Sequence, residues 1–196
     1  MKKSTKTIVW SVILIVLAYF LVRYVVIGPK SVPEGFVAAR TSGAAAATDI
    51  ARLSNESILK LDEISKKDAE YDFGGAMVLI SAELLRNKEL KSKALSLSNE
   101  LAKMANSLSR IQPRQARELA AEAIGYEVAL VSRLISYSDT AEELFELLKS
   151  KYNGGEFFVT EQVNKSIDEL NLTARTINTF NKAFEETLRK FDEVYK

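Results

Sequence analysis

Apolar positions along this chain follow two regimes. From Thr7 to Val22 (TIVWSVILIVLAYFLV) they run together, 16 residues without a charge; Arg23 interrupts, and Tyr24–Gly28 adds a second apolar stretch. Beyond Pro33 the apolar residues are spaced four and three apart, the period of one helix face. A continuous run suits a lipid surround, whereas a stripe suits a partner helix.

The continuous run predicts a membrane span over residues 7–28. Sixteen residues fall short of the roughly 20 needed to cross a hydrocarbon core. Counting through Ile27 gives 21, with Arg23 near one boundary, where its long stem can reach the headgroups. Residues 1–6 form a short basic tail with Lys2, Lys3 and Lys6, and residues 29–33 a juxtamembrane linker. A cleaved signal peptide would need a small-x-small site, and the best candidate, Val26-Ile27-Gly28, is followed by Pro29. The reading is therefore an uncleaved anchor. Cations before the span slightly favour a cytoplasmic N-terminus, which leaves residues 34–196 outside the cytoplasm.

The striped part predicts an all-α fold, a long antiparallel up-down four-helix bundle with helices over about 32–67, 72–111, 113–152 and 157–195. Such helices make a bundle about 60 Å long. Ser31-Val32-Pro33-Glu34 has the form of a capping box for the first helix, and the small residues Ala38–Ala47 allow a neighbouring backbone to approach closely. Asp72 is the expected N-cap of the second helix. That helix carries two apolar sets, Phe73, Met77, Ile80, Leu84 and then Leu90, Ala94, Leu97, Leu101, Met104, Leu108, Ile111. Their phases differ across Arg86–Glu89. The shift marks a stammer in one helix or a break near Asn87, and the helix-forming residues around it favour continuity.

Pro113 opens the third helix, whose stripe (Ala120, Ile124, Glu127, Val131, Leu134, Ser138, Ala141, Phe145, Leu148, Tyr152) holds one phase throughout. Asn153-Gly154-Gly155 is the clearest turn in the chain. The fourth stripe runs Val163, Ile167, Leu170, Ala174, Ile177, Asn181, Phe184, Leu188, Phe191, Tyr195.

Up-down connectivity gathers residues at two ends. The end far from the anchor collects Tyr71, Phe73, Tyr152, Phe157 and Phe158, five of the chain's 17 aromatic residues. They form a contact surface for a partner or a plug that closes the open end of the bundle. The near end collects Arg110, Arg114, Arg117, Arg189 and Lys190, which could meet anionic headgroups or pair with nearby carboxylates. Glu127 and Asn181 stand on otherwise apolar seams. They make either a small polar pocket or ordinary structural hydrogen bonds.

Composition then narrows the chemistry. There is no Cys and no His among 196 residues, which removes disulfides, thiolate and imidazole metal sites, cysteine nucleophiles and His-dependent triads. No nucleotide or calcium loop is present, so neither cofactor nor metal is expected. The net charge of +1 comes from 27 basic and 26 acidic residues, and it offers no basic stripe for nucleic acid. It also averages two unlike parts. Residues 1–33 hold five Lys or Arg and no acid, leaving the remainder at 22 basic and 26 acidic, a net of −4.

These features predict a single-pass, membrane-anchored protein with a structural, scaffolding or partner-binding role at the cell envelope and no catalytic activity. Its partners would be the bilayer, through residues 7–28, and a protein. A homo-oligomer is a further option, since the second and fourth seams could be satisfied by self-association. The alternative is an extracytoplasmic bundle that senses a small ligand around Glu127 and Asn181 and acts through a partner membrane protein.

Overall fold

The protein, in a computed structural model, is described over residues 32–153 and 159–195. Those residues form four long α-helices: α1 (Glu34–Ala69), α2 (Phe73–Ser107), α3 (Arg114–Tyr152) and α4 (Val159–Glu193). A single 3-10 turn, Leu108–Arg110, follows α2. No helix among the described residues is long and apolar enough to cross a membrane; the expected span over 7–28 lies outside them.

Each boundary has a local cause. α1 begins at Glu34 behind Pro33, which makes no side-chain cap; its carbonyl accepts from Phe36 and Val37 instead. The expected capping box is therefore replaced by proline at the N-cap, and Ser31 lies outside the described residues. Asp72 caps α2 as the sequence suggests, accepting from the Gly75 backbone N–H at 2.9 Å. Tyr71, before it, takes a left-handed φ of 58° to turn the chain between α1 and α2. α2 stops four residues short of Ile111. Proline disfavours helical backbone in what precedes it, and Ile111 is extended and fully buried ahead of the cis Gln112–Pro113 bond.

α2 is unbroken at Asn87. Its buried line is Ala76, Ile80, Glu83, Asn87, Leu90, Ala94, Leu97, Leu101 and Met104, four and three apart from end to end. The phase shift in the apolar pattern arises because two seam positions, Glu83 and Asn87, are polar. Phe73 sits outside this line and is 41% exposed. α4 differs in one place as well: Ser166 is buried and Ile167 faces solvent, so its stripe turns one residue from the expected one.

α1 packs along α2, α2 along α3 and α3 along α4. Gly43 marks the tight approach of α1 to α2, because a Cβ there would lie 3.3 Å from Leu97 Cδ1. The backbones of α1 and α4 stand further apart, and large side chains fill the gap, with the Phe36 and Phe191 rings 5.9 Å apart. Contacts between residues near 40 and 192, and near 49 and 93, fix antiparallel neighbours. The larger apolar core draws on all four helices around Ile50, Leu97, Leu130 and Leu188. A smaller one around Ile64, Ile80, Leu144, Phe145 and Leu170 fills the end near Tyr71.

Candidate functional site

Three places could carry function: the far tip, the near end and the polar seam positions. At the far tip the structure brings Tyr71, Phe73 and Tyr152 together. The Phe73 ring stacks on Tyr152 with centroids 5.3 Å apart, and Tyr71 meets Phe73 edge-on at 6.2 Å. Beneath them Lys151 donates to both oxygens of Asp68 at 3.0 Å, tying α3 to α1, and its ammonium lies 5.3 Å from the Tyr152 ring centre. Burial, with the Asp68 carboxylate beside it, pushes the Tyr152 hydroxyl up to about 12. Tyr152 is thus a half-buried footing, while Tyr71 is 81% exposed. Phe157 and Phe158 lie outside the described residues.

The near end holds Arg110 on the 3-10 turn after α2, Arg114 and Arg117 on α3, and Arg189 and Lys190 on α4. Three of them pair along their own helices: Arg114 with Glu118, Arg189 with Glu193 and Lys190 with Glu186. Such exposed pairs are screened by water, contribute little to stability and leave little uncompensated charge. Arg110 reaches the Ser107 hydroxyl at 3.4 Å. Sequence reasoning missed the main electrostatic feature here, the buried Arg40–Asp192 pair. Its two bonds are both 3.0 Å, and the residues are 7% and 8% exposed. Both lie a few residues from helix ends, on stripe flanks where a charged residue reads as surface.

Polar seam positions form two layers. In the first, between the two apolar cores, Asn87 donates to the Ser138 carbonyl at 2.7 Å and accepts from the Ser138 hydroxyl at 2.9 Å. Glu83, fully buried, is held by Arg86, which also reaches Glu56 at 3.4 Å. The second layer contains both sequence candidates. Asn181, 5% exposed, donates to Glu185 Oε1 at 2.6 Å, and its own carbonyl oxygen has no partner. Across the seam Glu127 is 1% exposed, and neither carboxyl oxygen has a partner. Burial, and then the nearby Glu185 carboxylate, push Glu127 up to about 8. Burial raises Glu185 too. A cavity of about 10 Å³ lies between Glu127 and the apolar side chains of Ala47, Ile50, Ala51, Leu97, Leu130 and Leu134.

That volume holds one water molecule. An organic ligand needs a site of a few hundred Å³. No cluster of three or more acidic side chains placed to hold a metal ion occurs among the described residues. What the second layer can do is bind or release a proton.

Comparison with known proteins adds no relative: no family model matches the chain, no curated protein is similar to it, and no solved structure matches its fold.

Proposed function

We propose that this chain is a single-pass membrane-anchored scaffold whose bundle stands on the extracytoplasmic side and presents its far tip to a protein partner. One observation carries the reading. Tyr71 is turned outward at a positive φ, 81% exposed, at the end of the bundle opposite Val32, where the chain leaves its apolar N-terminal segment. A left-handed backbone is costly for a residue other than glycine, asparagine or aspartate, and a large ring left in water gains nothing from burial. Phe73 and Tyr152 brace that ring from behind, as rigid aromatic anchors at protein interfaces are braced. The apolar run over residues 7–28 supports the anchor, and the absence of Cys and His supports a role without catalysis.

Ligand sensing in the bundle interior is the weaker reading, because the cavity beside Glu127 leaves about 10 Å³. The test is site-specific photocrosslinking of the full-length chain in its native membrane. A photoreactive residue at Tyr71 should trap one discrete partner, and the same residue at Ser132, halfway along α3, should not. Phe73→Ser should remove the adduct while helical circular dichroism persists. Equal crosslinking from both positions, or a Phe73→Ser chain that simply melts, would assign the rings to closing the bundle.

A further inference from the structure

We propose that the outer face of α2 pairs with the same face of a second copy of this chain, the two helices parallel and in register, with Lys88 of each copy on Glu89 of the other. The inward line of α2 is matched by an outward one. Val78, Leu85, Ser92, Asn99 and Asn106 stand seven apart on the side away from the core, and every one is exposed. Val78 and Leu85 are 71% and 70% exposed, and Leu95, beside this column, is 51% exposed. The column holds no charge. The corresponding column carries Arg52 and Lys66 on α1, Glu122 and Glu143 on α3, and Lys165, Glu186 and Glu193 on α4. A helix face that only meets water normally carries charge, as those three do. Apolar and small uncharged residues repeating every seven positions suit another helix.

Charge selects the occupant and its direction. Lys88 and Glu89 follow Leu85 by three and four residues, so they flank the column on opposite sides. Lys88 makes no ion pair among the described residues, and Glu89 has only an attraction to Arg52. Lys103, the remaining charge beside the column, is already paired with Glu100. In a parallel, in-register pair each flank meets the opposite flank of the other helix. Lys88 then meets Glu89 of the second copy, and the two-fold axis repeats the pair. In an antiparallel pair like flanks meet, and the flank of Lys88, with Ser81, Leu95 and Ala102, offers it no carboxylate. Asn99, facing its own copy, opposes slippage as a lone seam asparagine does. Parallel pairing also leaves Val32 of both copies at one end of the assembly, as anchors in one bilayer require. On that point the dimer rests on the anchor reading above: tethering in one membrane supplies the local concentration that a column with two apolar residues needs. The dimer then presents two Tyr71 rings to a partner at the far end.

The chain has no cysteine, so a single introduced thiol reports on the contact without background. Membranes holding full-length Val78→Cys, Ser92→Cys or Asn106→Cys are treated with a mild oxidant. Each variant should give a disulfide-linked dimer, because parallel pairing sets every column position against its own copy. Thr179→Cys, exposed on α4, should stay monomeric. In the Ser92→Cys chain, Lys88→Glu or Glu89→Lys alone should lower the dimer fraction several-fold, and the two together should restore it. A folding defect would not be repaired by the second reversal. Dimers from only one of the three column positions would mean an antiparallel or chance encounter and overturn the proposal. So would equal crosslinking from Thr179→Cys, or a dimer fraction indifferent to both reversals. Alkaline washing of the same membranes tests the anchor separately. If the chain washes off, the anchor reading falls, and the same crosslinks, sought in the released full-length chain, decide the dimer.

Discussion

Asn87 on α2 and Ser138 on α3 exchange two hydrogen bonds across the bundle, the amide donating to the Ser138 carbonyl at 2.7 Å and the hydroxyl donating to the amide oxygen at 2.9 Å. Asn87 is 6% exposed and Ser138 fully buried, so water replaces neither bond. The Ser138 carbonyl belongs to a helix interior, and its second lone pair is satisfied from a neighbouring helix. This rung lies between the larger apolar core and the smaller one at the far end. It fixes the register of α2 on α3 at a level where apolar side chains would slide. Asn87→Ala removes both bonds of the amide, leaves the Ser138 hydroxyl only its longer 3.4 Å bond to the backbone carbonyl of residue 87, and should cost about 1–3 kcal/mol in urea unfolding. Ser138→Ala should cost less, and the double variant should lose less than the two singles together, because each single already breaks the shared bonds. Strictly additive losses would deny the coupling.

The same rung explains what the sequence hid. The apolar pattern of α2 reads as two sets out of phase, since pattern reading counts apolar residues and skips Glu83 and Asn87. Once those polar residues are placed on the seam, the period is unbroken from Ala76 to Met104. The third stripe was legible without help because Glu127 and Ser138 fall between apolar residues that keep one phase. Asp72 was legible as a cap because capping needs only its own helix. The Arg40–Asp192 pair was not: a contact across 152 positions of sequence has no local signature. At the tip, topology alone put Tyr71, Phe73 and Tyr152 at one end. That Tyr71 stays out while Tyr152 is half buried follows from a positive φ and an Asp68–Lys151 tie that no spacing encodes.

Arg40 and Asp192 should behave as a buried pair whose halves depend on each other. Removing one leaves a charge in a nearly dry site, so Asp192→Ala should cost about 3–5 kcal/mol. Arg40 lies 6.0 Å from the Phe191 ring, and its Nε has no partner, so part of its desolvation is already unrecovered. Replacing both, Arg40→Met with Asp192→Leu, should therefore be close to neutral or stabilising. Thermal unfolding of the two single variants and the double variant decides this. A double variant as unstable as Asp192→Ala would mean that the pair contributes geometry that apolar packing cannot supply.

The two glycines after the α2 cap should respond unequally to alanine. A Cβ on Gly75 would lie 2.5 Å from Asp72 Oδ2, so the capping carboxylate must leave; a Cβ on Gly74 meets nothing nearer than 4.0 Å. Gly75→Ala should thus lower the melting temperature, and Gly74→Ala should leave it level or raise it through better helix propensity. The cap also has a pH signature. The Lys67 ammonium, followed by the Gly75 N–H, holds Asp72 below the usual aspartate range. Its stabilisation is present above the unfolded-state value and is lost as pH falls through the lower folded value. Asp72→Asn should remove that loss. Equal melting temperatures for the two glycine variants would argue that the cap side chain does not hold this turn.

Glu127 should make stability fall as pH rises through neutrality, the reverse of Asp49, Asp72 and Glu186. Its folded-state value is about 8 against 4.5 for the free side chain. Between those values the folded state holds a proton that the unfolded state has released. Stability is greatest below pH 4.5, declines toward pH 8 and is level above it, with a limiting slope of about 1.4 kcal/mol per pH unit. Relaxation and water entry will blunt that limit, so a loss of about 2–4 kcal/mol across the window is expected. Asp49, Asp72 and Glu186, lowered by their lysine partners, act in the opposite sense and only in acid. Glu185, raised by burial, shares the sign, so the difference between parent and variant isolates Glu127. Urea midpoints of the full-length chain at pH 5.5, 7 and 8.5 should converge for Glu127→Gln and stay spread for the parent. If the two chains lose stability in parallel over that range, the carboxyl at 127 is already ionised in the folded bundle and some unseen donor supports it.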